Sequence, residues 1–198
     1  MFGLEPSEPA RKTALLLKKE GKTKILELGG GQGRDSLFFA RNGFQVYSLD
    51  YCEKGIESII EKAKSFGLES SVKAIQHDVR QSLPFENEFF DACFSHMLCC
   101  MAITTTELEF LSSEIRRVLK PEGLNVYTVR HTGDPLYATG KHRGEDLYEI
   151  AGGFIVHFFS KEKVYQLAKG YKIKSIDEFE EGTPPKQLYL VTLRKTAN

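Results

Sequence analysis

The chain is predicted to fold as an α/β domain, a doubly wound and mostly parallel sheet with helices on both faces. Three observations carry that expectation. Apolar segments of strand length alternate with segments of helical periodicity, the pattern of parallel strands joined by crossover helices. An early strand ending Lys24-Ile25-Leu26-Glu27-Leu28 runs into Gly29-Gly30-Gly31-Gln32-Gly33, and a helix follows at once. A second strand over 44–49 then delivers Asp50 about 20 residues after the first strand's turn, where doubly wound folds place a ribose-binding acid.

The elements follow in order. Residues 5–9 read as a flexible lead, and 11–20 as a helix with Leu15, Leu16 and Leu17 on its apolar side and Gly21 as its stop. After Asp50, Ile56, Ile59, Ile60, Ala63 and Phe66 recur at helical spacing. Residues 72–77 are a third strand, and 89–95 a fourth, apolar enough for a central place. Thr104-x-x-Glu107 is a capping box opening a helix whose stripe is Leu108, Leu111, Ile115, Val118 and Leu119. That helix is expected to end at Lys120-Pro121, before a fifth strand at 124–129. Residues 131–153 show no sustained periodicity, and an irregular stretch of this length points to a functional, substrate-side insertion. An extended segment at 154–159 leads to a helix capped by Ser160. Strands at 171–179 and 187–193 are close enough to form an antiparallel hairpin.

The chain's 198 residues suit one domain, and 41% hydrophobic with 27% charged residues is the balance of a soluble globular protein. Equal counts of acidic and basic side chains give a formal charge of +0, which argues against a broad nucleic-acid footprint. No apolar run reaches the ~20 residues of a membrane span, and no charged-then-apolar leader opens the chain, so the expected location is cytoplasmic. Cys52, Cys93, Cys99 and Cys100 have neither metal-ligand nor disulfide-framework spacing, and no metal site is expected.

The glycine spacing decides between nucleoside cofactors. A dinucleotide fingerprint counted from Gly29 would need its third glycine where Arg34 stands. The chain has Glu27-x-Gly29-x-Gly31-x-Gly33 instead, with an acid ahead of the turn. That anion disfavours a pyrophosphate and favours the ammonium and sulfonium of S-adenosylmethionine. Amides around the turn remain for a carboxylate.

These residues resemble the class I S-adenosylmethionine-dependent methyltransferases. Residues 27–33 look like the family's first motif, Asp50 like its second-strand acid, and His77-Asp78-Val79 like the adenine-contacting end of its third strand. Residues 84–91 and 117–124 resemble the approaches to its fourth and fifth strands, with Glu122 where relatives often have glycine. The segment 29–37 is most similar to the small tellurite-resistance-like branch. The resemblance implies a seven-stranded sheet and the bound cofactor S-adenosyl-L-methionine. Glu27, Gly29 and Gly31 would hold its methionyl end, within the turn closed by Gly33. Asp50 would take the ribose, Tyr51, Asp78 and Val79 the adenine, and Ser95 would border the sulfur.

Methyl transfer from a sulfonium requires positioning above all, and a base only where the acceptor must lose a proton. No Gly-x-Ser-x-Gly elbow or phosphate loop is present. His96, after the fourth strand, is the candidate base. His131, Tyr137, His142, Arg143 and His157 are substrate-side candidates; each also reads as ordinary loop or sheet packing. The expected reaction is methylation of a small molecule. A nicotinamide-dependent oxidoreductase and a non-catalytic S-adenosylmethionine-binding protein are the alternatives. The segment Ser95-His96-Met97-Leu98 differs from the Asn/Asp-Pro-Pro-Tyr/Phe sequence used on base amines, which with the neutral charge argues against a nucleic-acid substrate.

Overall fold

The structure, a computed structural model, describes residues 5–196. Its main sheet has seven strands in the order β3-β2-β1-β4-β5-β10-β9. In the chain these are β1 (Lys24–Leu28), β2 (Gln45–Asp50), β3 (Val72–Gln76), β4 (Phe90–His96), β5 (Leu119–Arg130), β9 (Tyr171–Glu181) and β10 (Lys186–Lys195). Only β10 runs against the others, pairing antiparallel with both β5 and β9. The strand order reverses between β1 and β4, and doubly wound sheets bind ligands in the crevice beyond the strand ends at that switch.

Helices cover both faces because the central strands are buried on both. Ile25, Leu26 and Leu28 of β1 have no exposed surface. Ile25, with Val46, Phe94 and Val126, packs under α1 (Glu8–Lys19), α2 (Arg34–Arg41) and α3 (Glu53–Ser65). Leu26 and Leu28, with Phe90, Tyr127 and Val129, pack under α4 (Thr105–Val118) and α5 (Lys161–Leu167). The capping box at Thr104 and Glu107 is formed. No helix among the described residues is long and apolar enough to cross a membrane.

Three details differ from the sequence expectation. The lead is helical from Glu8, because Ser7 caps α1 and its Oγ accepts from the Ala10 amide at 3.1 Å. Ser7 also donates to the buried Asp35 from its amide at 2.7 Å and its hydroxyl at 2.8 Å, pinning α1 to the first turn of α2. The fifth strand begins at Leu119, five residues before the expected start at Leu124. Proline does not prevent this, since the pairing with β4 is irregular between Phe90 and Ala92. In that irregular stretch Glu122 takes a φ of 61°, the left-handed conformation that explains why glycine suits the position.

The third difference is the 131–153 insertion. It is built around a small antiparallel sheet of β6 (Lys141–His142), β7 (Leu147–Glu149) and β8 (Ile155–His157). Strands of two or three residues are too short to show alternation, so no period marks them. Tyr137 and Tyr148 pack edge-on against Phe158 at 5.5 and 6.2 Å, fixing this sheet to the α4–α5 side. A buried ion pair closes its base, with Arg130 donating to Asp134 at 2.5 and 3.0 Å.

Candidate active site

The glycine turn leaves β1 at the sheet's switch point. Gly29, Gly31 and Gly33 have φ values of 76°, 56° and 86°. A side chain at Gly30 would meet the Ser48 hydroxyl at 2.0 Å, so two elements close on the turn from beneath. On the outer side, a Cβ at Gly31 would find nothing within 4 Å. The turn is packed below and open above, which is the shape a cofactor cradle needs. Gly55 of α3 completes it, since a Cβ there would meet the Gly31 carbonyl at 2.6 Å.

Glu27 lies beneath this turn and is only 3% exposed. Its carboxylate accepts from the Ser36 hydroxyl of α2 and from the Ser48 hydroxyl of β2, the latter at 3.2 Å. Burial pushes its pKa up to about 8, and the neighbouring Asp35 carboxylate adds to the rise. Burying a carboxylate without a cation is costly, so this acid is held near neutrality and responds to any positive charge brought close.

Asp50 ends β2 beside the turn. Its Oδ2 accepts from the Gly31 amide at 2.7 Å and its Oδ1 from the Cys52 amide at 2.8 Å. The carboxylate is thereby fixed at the rim, with Tyr51 70% exposed next to it. Asp78, beyond β3, is held by the Arg80 guanidinium in a forked pair at 2.7 to 3.1 Å, which keeps its carboxyl below the usual range. Val79 is buried beside it. From the other side, the segment after β4 leans over the turn. Leu98 comes within 3.2 Å of the Cβ position of Gly29, and Met97 reaches this path through a φ of 60°. Ser95 is buried, with its hydroxyl 3.8 Å from the Cys99 sulfur.

His96 has both ring nitrogens engaged. Nε2 is 3.1 Å from a Glu181 carboxylate oxygen and Nδ1 is 2.9 Å from the Thr128 hydroxyl. A carboxylate only accepts, so the proton belongs on Nε2. Thr128 Oγ1 takes the Met97 amide hydrogen at 2.9 Å and turns its own hydrogen to Nδ1. The histidine bond in turn holds Glu181 below its ordinary range. Thr128 and Glu181 were not singled out in the sequence, because 85 residues separate Glu181 from its partner.

The substrate-side candidates engage other groups. His157 is wholly buried; its Nδ1 donates to the Ile103 carbonyl at 2.7 Å and its Nε2 accepts from Lys163 at 2.9 Å. Burial lowers its pKa, so it is neutral and satisfied. His142 bonds to the Glu145 carbonyl at 2.7 Å, Arg143 pairs with Glu149, and Tyr137 donates to Asp146 at 3.0 Å. His131 stacks on Tyr189 at 4.4 Å, accepts from the Gly133 amide at 2.9 Å and leaves Nε2 buried without a partner. None of these contacts reaches His96 or the glycine turn. Buried Cys99 and Cys100 are held as thiols, pushed up to about 12 and about 11 by burial.

This fold and this turn define the class. Residues 25–123 match the methyltransferase domain family, and the chain belongs to it. Among curated proteins, YqeM of Bacillus subtilis, which carries a methyltransferase name, is 30% identical over 112 residues. That match takes in 54% of this chain and 42% of YqeM, so the chain covers under half of that relative's length. Among solved structures, a SAM-dependent methyltransferase from Methanosarcina mazei superposes with a TM-score of 0.77 at 20% identity, over 89% of this chain and 94% of that one. A protein from Pyrococcus horikoshii OT3 superposes at 0.73 with 27% identity, over 96% and 92%.

Proposed function

We propose that this chain transfers a methyl group from S-adenosyl-L-methionine to a small-molecule acceptor, leaving S-adenosyl-L-homocysteine. The observation that carries the reading is the buried Glu27 under a turn whose outer side is open at Gly31. A cationic amino-acid tail there would draw that acid into its charged form, a gain that a diphosphate does not offer. The donor set fits the group. Gly29 and Gly31 let a ligand lie against bare backbone, their amides being bound to the Leu49 carbonyl and to Asp50; Asp50 gives a fixed carboxylate for two hydroxyls, and Tyr51, Asp78 and Val79 a site for a purine.

When bound, the cofactor supplies an electrophilic methyl on a sulfonium whose thioether leaves readily. The protein's share is placement and exclusion of water. Ser95 and Leu98 wall the crevice after β4, and the Leu98 side chain covers the turn at Gly29. His96 is held in one orientation from both sides, which suits a wall that fixes an acceptor's approach. To accept a proton it must release Thr128 from Nδ1. The nicotinamide reading lacks its third glycine at Arg34 and has no counterpart in the family match. An acceptor screen that reads S-adenosylhomocysteine tests the proposal; binding without turnover across amines, thiols, hydroxyls and metalloid oxyanions would favour the non-catalytic alternative.

A further inference from the structure

We propose that Glu181 is the acceptor-binding carboxylate of this site and that it selects an amine nitrogen as the methylated atom. The inference rests on the methyl-transfer reading and adds the acceptor's chemistry. Its basis is an unusual reach of the C-terminal hairpin. In the flat sheet order β9 lies three strands from β4, about 14 Å at ~4.8 Å per strand. Glu181 nevertheless meets His96 at 3.1 Å. The pairing of β5 with β10 ends at Arg130 and Leu188, and beyond it the hairpin end, where Lys186 pairs with Glu181, brings Glu181 back to the end of β4. It comes down on the face that carries α2, where Arg34 opens the helix after the glycine turn.

The three-membered chain has a buried end and an open end. Thr128 is wholly buried, the His96 side chain is 11% exposed, and the Glu181 side chain is 28% exposed. An acceptor arriving beside the end of β4 therefore meets the carboxylate, with histidine as its anchor. The His96 lone pair at Nδ1 faces Thr128, so this wall offers no free strong base. A carboxylate kept below its ordinary range is a poor base for a thiol or an alcohol and repels their anions. An amine needs no base from the protein: the bound ammonium first gives a proton to solvent, and the free amine is the nucleophile. Its nitrogen lone pair forms the new bond to carbon, the carbon–sulfur pair stays on sulfur as neutral thioether, and nitrogen becomes a methylated ammonium. Positive charge grows on nitrogen during the step, and a fixed carboxylate stabilises that charge. The ammonium proton then passes to solvent. Glu181 thus contacts substrate, while His96 and Thr128 are positioning residues.

The test uses the whole protein loaded with S-adenosylhomocysteine, titrated with benzylamine, benzyl alcohol and benzyl mercaptan. The expected result is at least about tenfold tighter binding of benzylamine, lost in Glu181→Gln, partly kept in Glu181→Asp and reduced in His96→Gln. Glu181→Gln should bind S-adenosylhomocysteine within about twofold of the parent and lose benzylamine turnover in both KM, from the lost ammonium contact, and kcat, from the charge no longer stabilised during the step. No amine preference in the parent, or one that survives Glu181→Gln, overturns the assignment. Failure of the parent to bind S-adenosylhomocysteine at all overturns the methyl-transfer reading and this inference with it, and is separately visible.

Discussion

Glu27 sits where the chemistry of one side chain can be followed in solution. Its carboxyl titrates near 8 in the fold against an ordinary value of 4.5, because burial penalises the charged form. The native state therefore holds this proton more tightly than the unfolded chain. The associated stability is complete below the ordinary value and is lost as pH rises towards the folded one. Glu27→Gln removes the titration while keeping a partner for Ser36 and Ser48. The melting temperature of this variant relative to the parent should rise steadily between pH 5 and pH 8 without ligand. A pH-independent difference would show that Glu27 is ionised in the fold. Gly30 makes the complementary case for shape. Alanine there collides with the Ser48 hydroxyl at 2.0 Å, and we expect a loss of about 1–3 kcal/mol in denaturant unfolding together with weakened cofactor binding.

At the scale of elements, Asp50 links β2 to the glycine turn and presents its carboxylate at the rim. Asp50→Ala should weaken S-adenosylmethionine binding more than about tenfold while the protein stays folded, as calorimetry and circular dichroism will show. The 131–153 insertion hangs on a different device. Lys163 of α5 joins Thr105 at 2.7 Å and His157 at 2.9 Å, and Glu145 lies 3.7 Å away. Lys163→Met should raise protease cutting within 134–153 before the rest of the chain unfolds. Equal cutting in both proteins would place the insertion's stability elsewhere.

The same elements show what could be read in advance. The sheet is legible because Ile25, Leu26, Leu28, Phe90, Ala92, Cys93 and Phe94 are apolar on both faces, and because glycines and the Thr104 capping box punctuate the chain. The turn and Asp50 were legible from spacing alone. The bed of the turn was not: Ser36 and Ser48 are unremarkable in sequence, and only the parallel register of Glu27 with Ser48 brings them together. The His96–Glu181 contact depends on a hairpin end crossing other strands, and no local pattern encodes it. Ser7, followed by Pro9 at a first-turn position, is a readable cap for α1.

The whole molecule couples these parts through ligand binding. The turn, Asp50 and the segment after β4 come from β1, β2 and β4, so a ligand seated among them ties three strands and two helices together. Binding to the native state alone stabilises it by about 2.7 kcal/mol at a hundredfold excess over Kd, or roughly 5–10 °C for a chain of this size. The central claim is that the crevice over the glycine turn takes a sulfonium amino acid joined to adenosine. Isothermal calorimetry of the parent protein with S-adenosylmethionine, S-adenosylhomocysteine and NAD tests it most directly. The account predicts one-to-one binding of the first two, weakened together by Gly30→Ala and Asp50→Ala, and no heat from NAD. Binding of NAD with no response to S-adenosylmethionine would contradict it.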